Sequence, residues 1–173
     1  MFLVDAFQQL SAAFGYYFAH SVLVWLSLPI ALVRVLQIAY RSRVPTPAAI
    51  TTEFAVELTR LFQYILALSI GTAVSLSRLS SSSSAWGEMF AGIRLVKWES
   101  LPWDIAGFLV VFALFNAALT LLFRYGKVGE LLQRLKLPRH RIGITKQALL
   151  LGIKNLLLIP VSVIYVFQML HFL

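Results

Sequence analysis

The chain has 173 residues, of which 60% are hydrophobic and 13% charged, and its mean hydropathy is +0.82, which excludes soluble and disordered compositions. The net charge of +8, from 15 Lys/Arg over 7 Asp/Glu, lies beside apolar runs and so points to anionic lipid rather than nucleic acid. The absence of cysteine removes disulfides, thiolate metal sites, iron–sulfur ligation and cysteine nucleophiles.

MFLVDAFQQL carries Asp5 and no Lys or Arg, so it lacks the positive n-region of a cleavable signal peptide. The first apolar run is therefore expected to be retained, with the first ten residues as an interfacial lead-in. Phe14 to Val33 is uncharged and twenty residues long, about 30 Å of helix, one hydrocarbon thickness. Pro29 inside it predicts a kink, which membrane helices tolerate where neighbours satisfy the freed carbonyl.

VPTPAAITT, residues 44–52, is a breaker cluster, and Thr51 or Thr52 can cap a second helix whose start favours Glu53. Glu57 and Arg60 fall on one face and can pair. Ala67, Gly71 and Ser75 recur every four residues, a small-residue stripe that admits another helix closely. The five serines 80–84 are expected to form a flexible loop. Trp86 to Trp98 is too short and charged to span and suits the headgroup region.

Ile105 to Phe123 is the clearest apolar span, and Ala113 and Ala117 form a second small-residue pair in it. Arg124 to Arg141 follows with six Lys/Arg against Glu130, its middle reading as a short amphipathic helix ended by Pro138. The last apolar run contains Pro160. The expectation is one all-α membrane domain over 1–173. Its four transmembrane helices lie near 14–34, 58–79, 104–124 and 153–172, with interfacial segments at 85–99 and 127–137.

Sidedness follows from the cations. Twelve of the 15 fall on one face: Arg34, Arg41, Arg43, Arg60, Arg124, Lys127, Arg134, Lys136, Arg139, Arg141, Lys146 and Lys154. The positive-inside rule then predicts both termini outside and the basic connector inside, in a bacterial inner membrane or an equivalent energy-transducing membrane. Arg34, Arg60, Arg124 and Lys154 form an inner-interface basic ring. Counting from it at about 1.5 Å per residue, Asn116 and Ser162 lie roughly 12 Å deep, Ser69 and Thr72 slightly deeper, and His20 and Gln168 roughly 21 Å.

Among these residues Asn116, Ser69 and Thr72 could line a pore, or act with Gln63, Gln168 and Ser162 as interhelical glue, the plainer reading. His20 and His171 stand at similar outer levels, and two facing histidines can hold haem b in a four-helix bundle. Singly placed histidines arise readily without one, so no cofactor and no metal is the main expectation. Lys127, Arg134, Lys136, Arg139 and Arg141 suit anionic headgroups or an acidic partner. No HExxH, GxSxG, phosphate loop or carboxylate dyad occurs. The predicted function is a non-enzymatic membrane subunit acting through helix packing with other subunits or copies of itself. A pore or transporter protomer is the alternative, and a haem-binding electron-transfer subunit the second.

Overall fold

The computed structural model describes residues 2–41, 43–134 and 139–173. Helices α1 (Phe2–Ala19) and α2 (Ser21–Ala39) are separated only by His20, whose φ of −105° and ψ of 79° leave the helical region. The expected first span straddles this break. Neither Gly nor Pro marks it. Pro45 and Pro47 stand where the chain enters α3 (Thr46–Thr72), since the first turn has no intrahelical use for the missing N–H. Ala73 then closes α3 in the left-handed conformation, with φ of 57°.

This ending cuts the small-residue stripe: Ser75 lies beyond α3 as the N-cap of α4 (Leu76–Ser81), where its hydroxyl accepts from the Arg78 N–H. The serine run is a correction to the expected flexible loop. Ser80 and Ser81 belong to α4, Ser82 alone is extended, and Ser83 opens α5 (Ser83–Met89). Tertiary packing overcomes the weak helix propensity of serine: the flanking Leu79, Ala85 and Met89 are buried with Val74 and Phe172, while the Ser80 and Ser81 hydroxyls find an acceptor in the Ser77 carbonyl. A 3₁₀ turn at Ala91–Leu95 follows, and a Cβ on Gly92 would collide with the carbonyl of His171.

Pro102 and Asp104 occupy the first turn of α6 (Leu101–Tyr125), a start suited to Pro's fixed φ and to the helix dipole. After α7 (Val128–Arg134), α8 (Arg139–Ile153) runs through a π-helical stretch at Lys154–Leu158 into α9 (Ile159–Met169). Pro160 explains that irregularity. It has no N–H for the carbonyl four residues back, Leu156, and the buried Tyr17 hydroxyl of α1 donates to that carbonyl at 2.7 Å.

The chain is all-helical among the described residues, and four helices are long and apolar enough to cross a membrane: α2, α3, α6 and the run Arg141–Met169. The last begins earlier than the apolar core suggests because Ala148 and Gly152 are buried, with α8 packed along α2. Helix α2 runs antiparallel to α3, Arg34 meeting Glu53 while Leu23 and Ser27 meet Gln63. Helix α1 runs parallel to α6, with Phe2 against Trp103, Ala6 so close over Gly107 that a Cβ there would come within 2.9 Å of it, and Phe14 edge-on to Phe115. The main core joins Ala13, Tyr17, Leu23, Ala67, Phe112, Val161, Ile164 and Tyr165.

A Cβ on Gly152 would press on the branched side chain of Val35, which is stiff in a helix, whereas one on Gly15 meets open space. Gly152→Ala is therefore expected to cost about 1–3 kcal/mol and lower the thermal midpoint in detergent. Gly15→Ala should hold or raise the midpoint. Equal midpoints would contradict the α2–α8 packing.

Candidate functional site

The largest set of interacting polar side chains sits where α2, α3 and the π-helical stretch meet. Arg34 of α2 reaches across to both acidic residues of α3. Its Nη2 donates to Glu53 Oε1 at 2.6 Å and to Glu57 Oε1 at 3.1 Å, while Nη1 donates to Glu53 Oε2 and, at 3.0 Å, to Gln37 Oε1. Glu57 also accepts from Arg60 Nη1 at 2.6 Å, and Arg60 Nη2 donates to Asn155 Oδ1. Asn155 in turn donates from Nδ2 to the Leu151 carbonyl at 2.7 Å. One turn of α3 beyond Arg60 lies Gln63, whose Nε2 donates to Ser27 Oγ at 2.6 Å and to the Leu23 carbonyl at 2.8 Å.

Spacing along α3 creates this seam. Glu53, Glu57 and Arg60 follow at i, i+4 and i+7, one helical face, and Gln63 continues it. The two guanidinium side chains are 13% exposed, whereas the two carboxylate side chains are 51% and 53% exposed. The cations are thus sheltered while the anions reach toward solvent, so screening keeps the ion pairs modest. Two arginines and two glutamates also cancel. Gln63, Ser27 and Asn155 are buried, and their hydrogen bonds remove a desolvation cost that would otherwise fall on the bundle. A charge-balanced, saturated network of this kind fixes three helices together.

The basic ring divides. Arg34 and Arg60 are joined through Glu57, and Lys154, next to Asn155, donates to Thr120 Oγ1 of α6 at 3.3 Å. Arg124 is exposed, 5.3 Å over the ring of Tyr125. Of the packing residues, Ala67 is buried and its carbonyl accepts from Tyr16, while a Cβ on Gly71 would collide with Leu173. Ala113 and Ala117 are exposed on α6. Asn116 is exposed between them, whereas Ser69 donates to Val74 O at 2.6 Å and Thr72 to Leu68 O at 2.7 Å.

His20 packs on Tyr16 with the rings tilted by 44° and centroids 4.3 Å apart, its Nδ1 2.8 Å from the Tyr16 carbonyl. His171 is exposed at φ 56° on the turn after α9. Among the described residues no three of His, Asp and Glu gather as metal ligands. Lys127, Arg134 and Arg141 are exposed. Lys136 and the side chain of Arg139 lie outside the described residues.

Sequence reasoning did not single out Tyr17, Ser27 or Asn155. Two signals bore on them: Pro160 four residues after Leu156 marks a carbonyl in need of a donor, and Lys154–Asn155 is a polar pair inside an apolar run. No protein-family model, curated protein or solved structure matches the chain.

Arg60→Leu leaves the buried Asn155 without its donor, an expected loss of about 1–3 kcal/mol. The double variant Arg60→Leu/Asn155→Leu should recover much of it, because no polar group is then stranded. Unfolding in detergent measures the cycle, and simple additivity of the two single losses would show that the pair is not coupled.

Proposed function

We propose that the chain is a non-enzymatic membrane subunit that works by packing, presenting the outward face of α6 to another membrane helix in a larger complex or a second copy. The observation that carries this is Asn116. It sits well inside a 25-residue apolar helix, is exposed, and its side-chain amide makes no hydrogen bond among the described residues. Ala113 shares its face at i−3 and Ala117 flanks it one position on, a combination of close approach with an amide donor and acceptor that suits helix pairing in lipid. Hydrocarbon offers that amide no partner, whereas a facing helix does.

Four other polar side chains of the spans support the same reading. Gln63, Ser27, Ser69 and Thr72 bond within the bundle rather than along a continuous path. In this reading the cation-rich ends of α2, α6 and α8 face the cytoplasm or an equivalent matrix, and Phe2 and Leu173 lie on the outer side. A bacterial inner membrane or a similar energy-transducing membrane is the setting.

A photo-crosslinking residue at Ala113 should yield an adduct with another membrane chain or a second copy, well above the yield from the equally exposed Leu32 of α2. Asn116→Leu should weaken the association about 5- to 30-fold, the equivalent of about 1–2 kcal/mol from one interhelical amide. Adduct yields at Ala113 no higher than at Leu32 would count against the α6 face.

A further inference from the structure

Between α6 and α8, at their cation-rich ends, the surface opens into a groove lined by Thr120, Phe123, Arg124, Lys146, Gln147 and Leu150. Gly143 completes it, and a Cβ there would meet open space. Phe123 and Leu150 make an apolar floor. Arg124 of α6 and Lys146 of α8 both line it, the guanidinium over the Tyr125 ring and the ammonium beside Gly129 of α7, and Lys154 brings a third cation to its edge through the bond to Thr120. Among the described residues none of the three is in an ion pair with a carboxylate.

Three other grooves among the described residues lack this combination. The one along α7 holds Lys127 and Arg134 but also Glu130, and the one between α2 and α8 has Arg41 alone. The groove beside Pro29 is lined by apolar side chains and threonine hydroxyls. A basic mouth over an apolar floor at a helix–helix crevice matches one amphipathic anion: a phosphate above two acyl chains.

We propose that the α6–α8 groove binds one anionic glycerophospholipid, its phosphate between Arg124 and Lys146 and an acyl chain along Phe123 and Leu150. Gln147 and Thr120 supply neutral hydrogen-bonding groups to the same headgroup. The site goes beyond the packing function and does not depend on which helix covers Asn116. It also differs from diffuse attraction to the basic connector, because shape as well as charge selects the ligand.

The test uses the full chain purified in neutral detergent and native mass spectrometry with added phosphatidylglycerol or phosphatidylcholine of matched acyl chains. The expected result is one retained phosphatidylglycerol per chain, at least tenfold preferred over phosphatidylcholine. Arg124→Ala/Lys146→Ala should remove that preference. Gly143→Leu, which fills the groove without altering charge, should reduce retention as strongly, with the thermal midpoint of each variant confirming a folded bundle. Lys127→Ala/Arg134→Ala, which removes the same charge from α7 and its approach, should retain the lipid. Equal loss in the Lys127/Arg134 variant, unchanged binding in folded Gly143→Leu, or displacement of the lipid by millimolar inorganic phosphate would each overturn the proposal.

Discussion

Hydrocarbon supplies no hydrogen bonds, so every polar group that a membrane helix carries has to find a partner in the protein. The arrangement of this bundle follows from that constraint more closely than from apolar contact, because lipid tails already solvate the leucines and valines. Pro160 shows the consequence most plainly. Its missing N–H exposes the Leu156 carbonyl, the helix shifts to π geometry around it, and Tyr17 crosses from α1 to donate. Gln63 serves α2 in the same manner, meeting both the Ser27 hydroxyl and the Leu23 carbonyl just beyond the break at His20.

The seam formed by Arg34, Glu53, Glu57, Arg60 and Asn155 extends this logic to charge. Sheltered guanidiniums bond to half-exposed carboxylates, and the buried amide of Asn155 completes the donors of Arg60. Since the charges cancel and the buried groups are bonded, the seam holds α2, α3 and the π-helical stretch in one register. Helix α6 takes no part in that seam and packs instead on α1, α8 and α9, with Phe108 and Phe112 against Tyr165 and Thr120 bonded to Lys154. Its outward face keeps the Asn116 amide exposed and, among the described residues, without a side-chain hydrogen bond. The proposed docking role rests on this arrangement, a bonded three-helix seam with the outward face of α6 left exposed.

The all-helical architecture and the apolar runs were legible in the sequence, because twenty apolar residues between charged ends have few other stable uses. The pairing of Glu57 with Arg60 was legible too, being set by helical spacing alone. The break at His20 was not, since neither Gly nor Pro stands there. The helical serines were hidden because their order comes from Leu79, Ala85 and Met89 packing on Phe172, far along the chain. The links from Arg60 to Asn155 and from Tyr17 to Leu156 join residues 95 and 139 positions apart. Local pattern carries no information about such distant partners, although Pro160 gave a hint of the second.

All of this presupposes that the four apolar helices cross a bilayer with their cations on one side. The protein has no cysteine of its own, so single cysteines placed at Ser82 and at Arg134 can be labelled in intact cells with an impermeant maleimide. The account predicts that the Ser82 position reacts from outside and that the Arg134 position reacts only after permeabilisation. Labelling of both positions from the same side in sealed cells would contradict it.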